Sequence, residues 1–477
     1  MPFLTGHDAE VRSVSEDRVA DHDIADRGIA WECCAADGCT GVRLPAGERC
    51  WVHADQVARD LAAKRLGQDG ILDARGVPVT GTLLSDLLAA APEDERGNAV
   101  LESADFAAAT FHDDAVFDAV TFHGTAVFRG AAFHGQAKLI QVAFDAVADF
   151  SGADFSGDAV IAGAAFKGHA RFSQATFRGR TSVGMVSFDD RADFSGAVFE
   201  GDARFGGTAF HRDALFDGAA FRQSADFGKA DIFSDATADP VLQALHPPGS
   251  NGPVPEPDRA ARNTGAAFRS AAYFRQATFG GDAEFSHVTF EHDAVFAQAA
   301  FQDCARFTRA QFAGSPDPWD DPGRGADFAG SVFHHDAWFD GAAFSEQAAF
   351  DGVTFHGQAD FTDATFEGDG RFRRATFGGT ADFGGGLPGM PGAAFRHAAD
   401  FSDATFRGQA NFSEVTAERA VIFRGSDFEQ TRELGPLLAG HELVLDNATF
   451  AQPVRIEAAT AALACGRHSS SPGCSSG

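Results

Sequence analysis

From Phe106 onward an apolar ring or branched side chain returns at steps that alternate between five and six residues. The positions are 106, 111, 117, 122, 128 and 133, then Leu139, Phe144, Phe150, Phe155, Ile161 and Phe166, and so on to Ile232. Phe supplies 49 of the 477 residues against one Tyr and four Trp, so the rhythm selects the phenyl ring itself. In ADFSGAVFEGDARFGGTAF, residues 192–210, the rings are Phe194, Phe199, Phe205 and Phe210, and each has Ala or another small residue two positions before it. Internal repetition of this kind decides the fold class before any local propensity does.

An 11-residue period also suits a right-handed helical coil. On a helix, however, the two Phe of each unit fall about 140° apart and form no seam. Gly recurs in nearly every unit, and each interior Gly costs a helix roughly 1 kcal/mol relative to Ala. A strand has neither difficulty. Residues i and i−2 share a face, so Ala192 and Phe194 point inward while Asp193 points to water. The pair Ser195-Gly196 then supplies a corner. The repeating object is a very short strand plus a turn, wound so that Phe stacks on Phe and Ala on Ala.

The segments A-D-F-S-G at 148–152 and 192–196 resemble the consensus of the pentapeptide-repeat family, and the alternation of five and six is similar to its Phe-rich, actinobacterial-type branch. The resemblance implies an all-β solenoid, a right-handed quadrilateral β-helix with four faces and 22 residues per coil. About 57 face positions then give about 14 coils, a rod on the order of 65–70 Å long at the usual inter-strand spacing. A left-handed β-helix built on hexapeptides is the alternative. The inserts at 239–264, 313–327 and 384–394 preserve the register, the first on condition that Ala238 counts as one weak face. They read as excursions from corners within one solenoid spanning 100–464.

Residues 1–53 lack the rhythm and carry WECCAADGCTGVRLPAGERCWVH. Cys34, Cys39, Cys50 and His53 have the ligand types and spacing of a small structural zinc site, with Cys33 leaving the choice of ligands open. Four protein ligands leave no open position for catalysis. The alternative is a set of reduced Cys in a small apolar cluster. Residues 54–99 read as a cap: an amphipathic helix from Ala54 ending at Gly67, a strand and turn, then a second helix stopped by Pro92. The polar stretch 465–477 reads as a disordered tail with no capping element.

Composition narrows function more than it identifies it. The net charge of −30 argues against direct nucleic-acid binding. No run of 18 apolar residues occurs, no signal peptide is visible at the N-terminus, and seven Cys are too few for a disulfide framework, so a cytoplasmic protein is expected. No nucleophile elbow, P-loop or metalloprotease motif is present, and no enzyme is expected. His112 and His134 lie one coil apart, as do His334 and His356, which raises metal binding against the simpler reading of a tolerant polar corner. The expected role is a scaffold for an unidentified protein partner, with Trp319 in the 313–327 insert as candidate anchor. The alternative, which the resemblance implies, is an acidic mimic of DNA that binds a type II topoisomerase such as gyrase.

Overall fold

The computed structural model describes residues 31–45, 47–228, 265–314, 325–385 and 391–464. From Ile71 to Ala464 the chain forms a parallel β-solenoid of about 14 turns, four faces to a turn. In chain order the first face holds Phe106 and Phe128, the second Phe111 and Phe133, the third Phe117, and the fourth Phe122 and Phe144. Strand partners lie 22 residues apart, as in Thr176↔Val198 and Phe177↔Phe199. The second face is a 15-stranded sheet and the third a 12-stranded one. The first and fourth are joined by the long strand Glu433–Val444, which pairs with both. Fifteen rungs at ~4.8 Å make the second face about 67 Å long.

The core is a set of ring columns. Every described Phe from Phe106 to Phe428 is at most 2% exposed. Along a face the rings stack nearly parallel, as Phe177 on Phe199 (4.9 Å, 2°). Between faces they meet edge to face, as Phe194 against Phe205 (5.7 Å, 86°). Both geometries satisfy the ring quadrupole, each worth about 0.5–1.5 kcal/mol beyond burial. The third face breaks its column near its start, where Leu139, Ile161 and Val183 replace Phe on four-residue strands, and the fourth near its end, where Ala417 follows Phe395.

The two step lengths are two different corners. After Phe194 the five-residue step is a tight turn in which Ala197 N–H donates to Phe194 O (3.0 Å) and Gly196 takes φ +64°. Gln174 and Asp363 hold the same left-handed position in other coils, so Gly eases this corner without being required. After Phe199 comes the six-residue step, and there Gly201 is needed for space. A Cβ on it would lie 2.5 Å from Gly179 O in the coil before. The outward Asp193 is not merely solvated: its Oδ1 accepts the Ser195 N–H at 2.9 Å. Asp149, Asp327, Asp360 and Asp400 cap their turns in the same way. The A-D-F-S-G motif therefore encodes cap, core ring, capped donor and left-handed turn.

Three boundaries differ from the sequence expectation. The solenoid starts at Ile71, where Ile71–Asp73 pairs with Ser103–Asp105 and Pro78–Val79 with Thr110–Phe111. Within this first coil, helix α2 (Gly81–Ala90) stands where a third-face strand would be and packs on Ala115–Val116. Helix α1 (Gln56–Asp69) runs through Gly67 and ends on left-handed Gly70, which satisfies the carbonyl of Leu66. It is not amphipathic in the expected sense, since it buries Ala62 and Leu66 but leaves Val57 and Leu61 exposed. Finally, Phe268 stacks directly on Phe210, and Ala266 N–H donates to Phe227 O at 2.7 Å. Phe268 takes the face due after Phe227, so the first excursion leaves after Gly228 and the register does not need Ala238 as a weak face; Ile232 and Ala238 lie outside the described residues. The other two excursions keep the expected register, with Phe328 on Phe296 and Phe395 on Phe366.

The corner assignments predict unequal costs. Phe205→Ala opens a cavity and costs about 3–5 kcal/mol, and Asp193→Ala about 1 kcal/mol by orphaning the Ser195 N–H. Gly218→Ala, in open space at φ +64°, costs about 1–2 kcal/mol. Gly201→Ala costs more than Gly218→Ala because a backbone of the neighbouring coil must move. Urea midpoints of the four variants test the order, and equal losses at Gly201 and Gly218 would refute the two-corner account.

Candidate metal centre

Residues 31–53 fold by backbone pairing of Cys33 with Val42, a turn through Asp37 and Gly38, and a helical turn at 50–53 in which His53 and Ala54 N–H groups donate to Cys50 O. This brings Cys34, Cys39, Cys50 and His53 together, with donor atoms all within 4.8 Å of one another. The observed edges are Cys39 Sγ to Cys50 Sγ 3.8 Å, Cys34 Sγ to His53 Nδ1 3.5 Å, and Cys50 Sγ to His53 Nδ1 3.4 Å. A tetrahedral ion with metal–sulfur bonds of ~2.3 Å and a metal–nitrogen bond of ~2.0–2.1 Å demands edges of roughly 3.8 and 3.5 Å. The four side chains fit such an ion, and all four positions of the tetrahedron are protein. Cys33 is excluded, because its Sγ is turned toward the Trp31 carbonyl at 3.7 Å.

The thiols differ in environment. Burial alone would raise the Cys34 thiol, but N–H groups of Ala36 and Cys50, the Cys50 thiol and the His53 ring hold it down to about 7. Burial pushes Cys50 up to about 11. A bound cation reverses that penalty by taking the thiolate as a ligand.

The module has a mechanical job. On the first face each N–H points to the following coil and each carbonyl to the preceding one, as Phe194 N–H to Leu215 O. In the first coil the carbonyls of Asp73, Arg75 and Gly76 have no preceding coil. They are taken by Trp51 Nε1 (2.9 Å), Val42 N–H (2.8 Å) and Thr40 Oγ1 (3.0 Å). The Arg75 guanidinium lies over Trp31, 5.3 Å from the ring centre. The Cys/His module therefore covers an open sheet edge as well as holding its four donors.

The remaining sequence candidates separate. Phe194, Phe199, Phe205 and Phe210 are in the core as expected, and Trp319 lies outside the described residues. His112 and His134 are tilted neighbours at 5.7 Å and His334 and His356 stack at 5.2 Å, each pair on adjacent rungs, and neither belongs to a cluster of three or more metal-ligating side chains among the described residues. A cluster that the sequence reading did not single out, Asp282, Asp303 and Cys304, falls within 4.8 Å. Its chemistry is spoken for: Asp282 binds Arg306 (2.9 Å), and burial with the two carboxylates keeps the Cys304 thiol protonated. Arg306 in turn lies 4.9 Å from the ring centre of Trp338, an outward aromatic that the alternation pattern gave no reason to notice.

The family model described as pentapeptide repeats (9 copies) matches residues 139–184, 161–209, 185–231, 260–300, 339–386 and 391–432. No curated protein and no solved structure matched significantly.

Elemental analysis of the purified chain is expected to find about one divalent ion, lost in Cys50→Ser and retained in Cys33→Ser. Chelation should raise amide exchange at 40–53 and 73–76 and leave 192–216 unchanged. Unaltered exchange at 73–76 after metal loss would separate the ion from the capping role.

Proposed function

Because the chain belongs to the pentapeptide-repeat family, we propose that it is a non-enzymatic, cytoplasmic interaction scaffold of the Phe-rich, actinobacterial-type branch, closed at its N-terminal end by a structural zinc module. The observation that carries this reading is the ring-filled interior, which devotes the inward positions to packing and leaves function to the outer surface. A surface groove of about 440 Å³ is lined by Glu367, Arg396, His397, Glu418, Arg419 and His441. There Arg396 already pairs with Glu367 and Glu418 (3.6 and 2.8 Å), an arrangement suited to a surface and not to acid–base turnover. Three soft thiolates with one imidazole favour zinc over harder cations. Among the described residues no helix is long and apolar enough to cross a membrane.

The gyrase-binding DNA mimic is the second reading, favoured by the acidic balance. Residues 1–100 carry −8 of the net −30, leaving −22 for the rest of the chain. Duplex DNA as long as the solenoid presents about 40 charges at one per ~1.7 Å. Much of the solenoid's charge is also cancelled locally, for Asp149, Arg171 and Asp193 alternate in sign on successive rungs. Both facts support the scaffold over the mimic. Purified protein in molar excess is expected to leave gyrase supercoiling unchanged. Inhibition of supercoiling that follows the protein's concentration would put the mimic first.

A further inference from the structure

The outward midline residues of the four faces differ in kind. On the second face they are chiefly Thr, Ala and Val, for example Thr278, Ala300, Val332 and Thr354 in consecutive rungs. The fourth face is similar, with Ala267, Thr289, Gln311 and Ala343. The first face carries charge but neutralises it: Asp149↔Arg171↔Asp193 and Arg371↔Asp400 sit opposite one another in register. The third face behaves otherwise. Its rungs read Glu284, Arg306, Trp338, Asp360, Asp382.

Asp360 and Asp382 are in-register neighbours of like sign, separated by one rung of ~4.8 Å. Their oxygens accept backbone N–H groups of Thr362 (2.9 Å) and Gly384 (3.0 Å), and Asp382 also accepts Asn411 Nδ2 (2.8 Å). Among the described residues no Lys or Arg pairs with either. Burial, and then the charge of Asp360, raise the Asp382 carboxyl above the usual range. Two rungs away the face already shows what it accepts: the Arg306 guanidinium is seated on Trp338 and anchored to Asp282. The strip thus combines an aromatic seat that holds a guanidinium with a carboxylate pair lacking one.

We propose that the third face from Glu284 to Asp382, centred on Trp338, docks a basic, Arg-containing segment of a partner protein. This rests on the scaffold reading and names its surface. Five rungs span about 19 Å, the length of roughly six residues of extended chain. An Arg of the segment sits between Asp360 and Asp382, where its fork satisfies both carboxylates and removes their repulsion. A neighbouring Arg or Lys stem packs on the free part of the Trp338 ring. On the first face Asp149, Arg171 and Asp193 alternate in sign and Asp327 stands between Val295 and Ala349, so those rungs place no two carboxylates side by side.

The test uses full-length protein and a short fluorescein-labelled Arg–Gly repeat peptide, read by anisotropy. Asp360→Asn with Asp382→Asn keeps both turn-capping oxygens and is expected to weaken binding roughly tenfold. Asp327→Asn with Asp400→Asn makes the same change in net charge on the first face and should alter affinity less than about twofold. Trp338→Ala should weaken binding roughly fivefold, with partial recovery in Trp338→Phe. Equal losses from the two Asn pairs would show attraction to net charge alone and overturn the strip. So would binding insensitive to Trp338. A partner that docks at another face would also overturn it, while leaving the scaffold reading standing; loss of that reading would instead show as gyrase inhibition.

Discussion

Everything in this molecule depends on one spacing match. A rung rises by the ~4.8 Å of a parallel hydrogen-bonded ladder, and a phenyl ring stacked on its copy at 4.5–5.2 Å fills that rise. Phe therefore satisfies the backbone and the core with one dimension. A Trp would not fit four to a turn, and a buried Tyr would carry a hydroxyl with no partner. Since most rings are held by copies above and below, a register shift at any corner would displace all four columns at once. That is why the excursions after Gly228, Phe312 and Phe383 return the chain to the face that was due next.

The same spacing explains what could be read from sequence. The inward positions were legible because burial on one side of a two-residue strand imposes a period that no other demand competes with. The corners were half legible. Gly at the five- and six-residue steps looks alike on paper, yet one answers to φ and the other to backbone of the adjacent coil, a contact between residues 22 apart such as Gly179 and Gly201. Asp193 does point outward as read, but its second role was missed for a related reason: alternation locates a side chain in or out, and says nothing of a bond to the N–H two residues on. At the first insert the rhythm was extended too far: it gave Ile232 and Ala238 a face each before Phe268, whereas Phe268 itself takes the face due after Phe227.

At the N-terminal end, ligand spacing identified Cys34, Cys39, Cys50 and His53, because a tetrahedron can be closed only by donors that the chain can bring within a few ångströms. What spacing could not settle was Cys33, which strand pairing with Val42 turns away. Nor could it show that the module docks on the first coil. That required knowing which carbonyls a parallel solenoid leaves open, and in which direction. Helix α1 was placed correctly, but its end was misplaced because Gly67 and Gly70 are both plausible stops, and only Gly70 adopts the left-handed turn.

A solenoid repeats its chemistry at every rung, so a repeated feature gives no partner a reason to prefer one coil over another. Specific recognition must use what breaks the translation: an end, an excursion, or a row whose sign fails to alternate. The Cys/His module is occupied with the end, since its side chains form the four-donor cluster and it covers the carbonyls of Asp73, Arg75 and Gly76. On the third face the translation breaks where Arg306, Trp338, Asp360 and Asp382 follow in register. The Asp360–Asp382 repulsion is tolerated because the ring columns beneath, Phe339 on Phe361 and Phe361 on Phe383, hold their rungs together regardless of surface charge. A core this insensitive to its exterior frees the outer residues to be chosen for recognition. Composition alone, with its net charge of −30, gives no sign of which face differs from the other three.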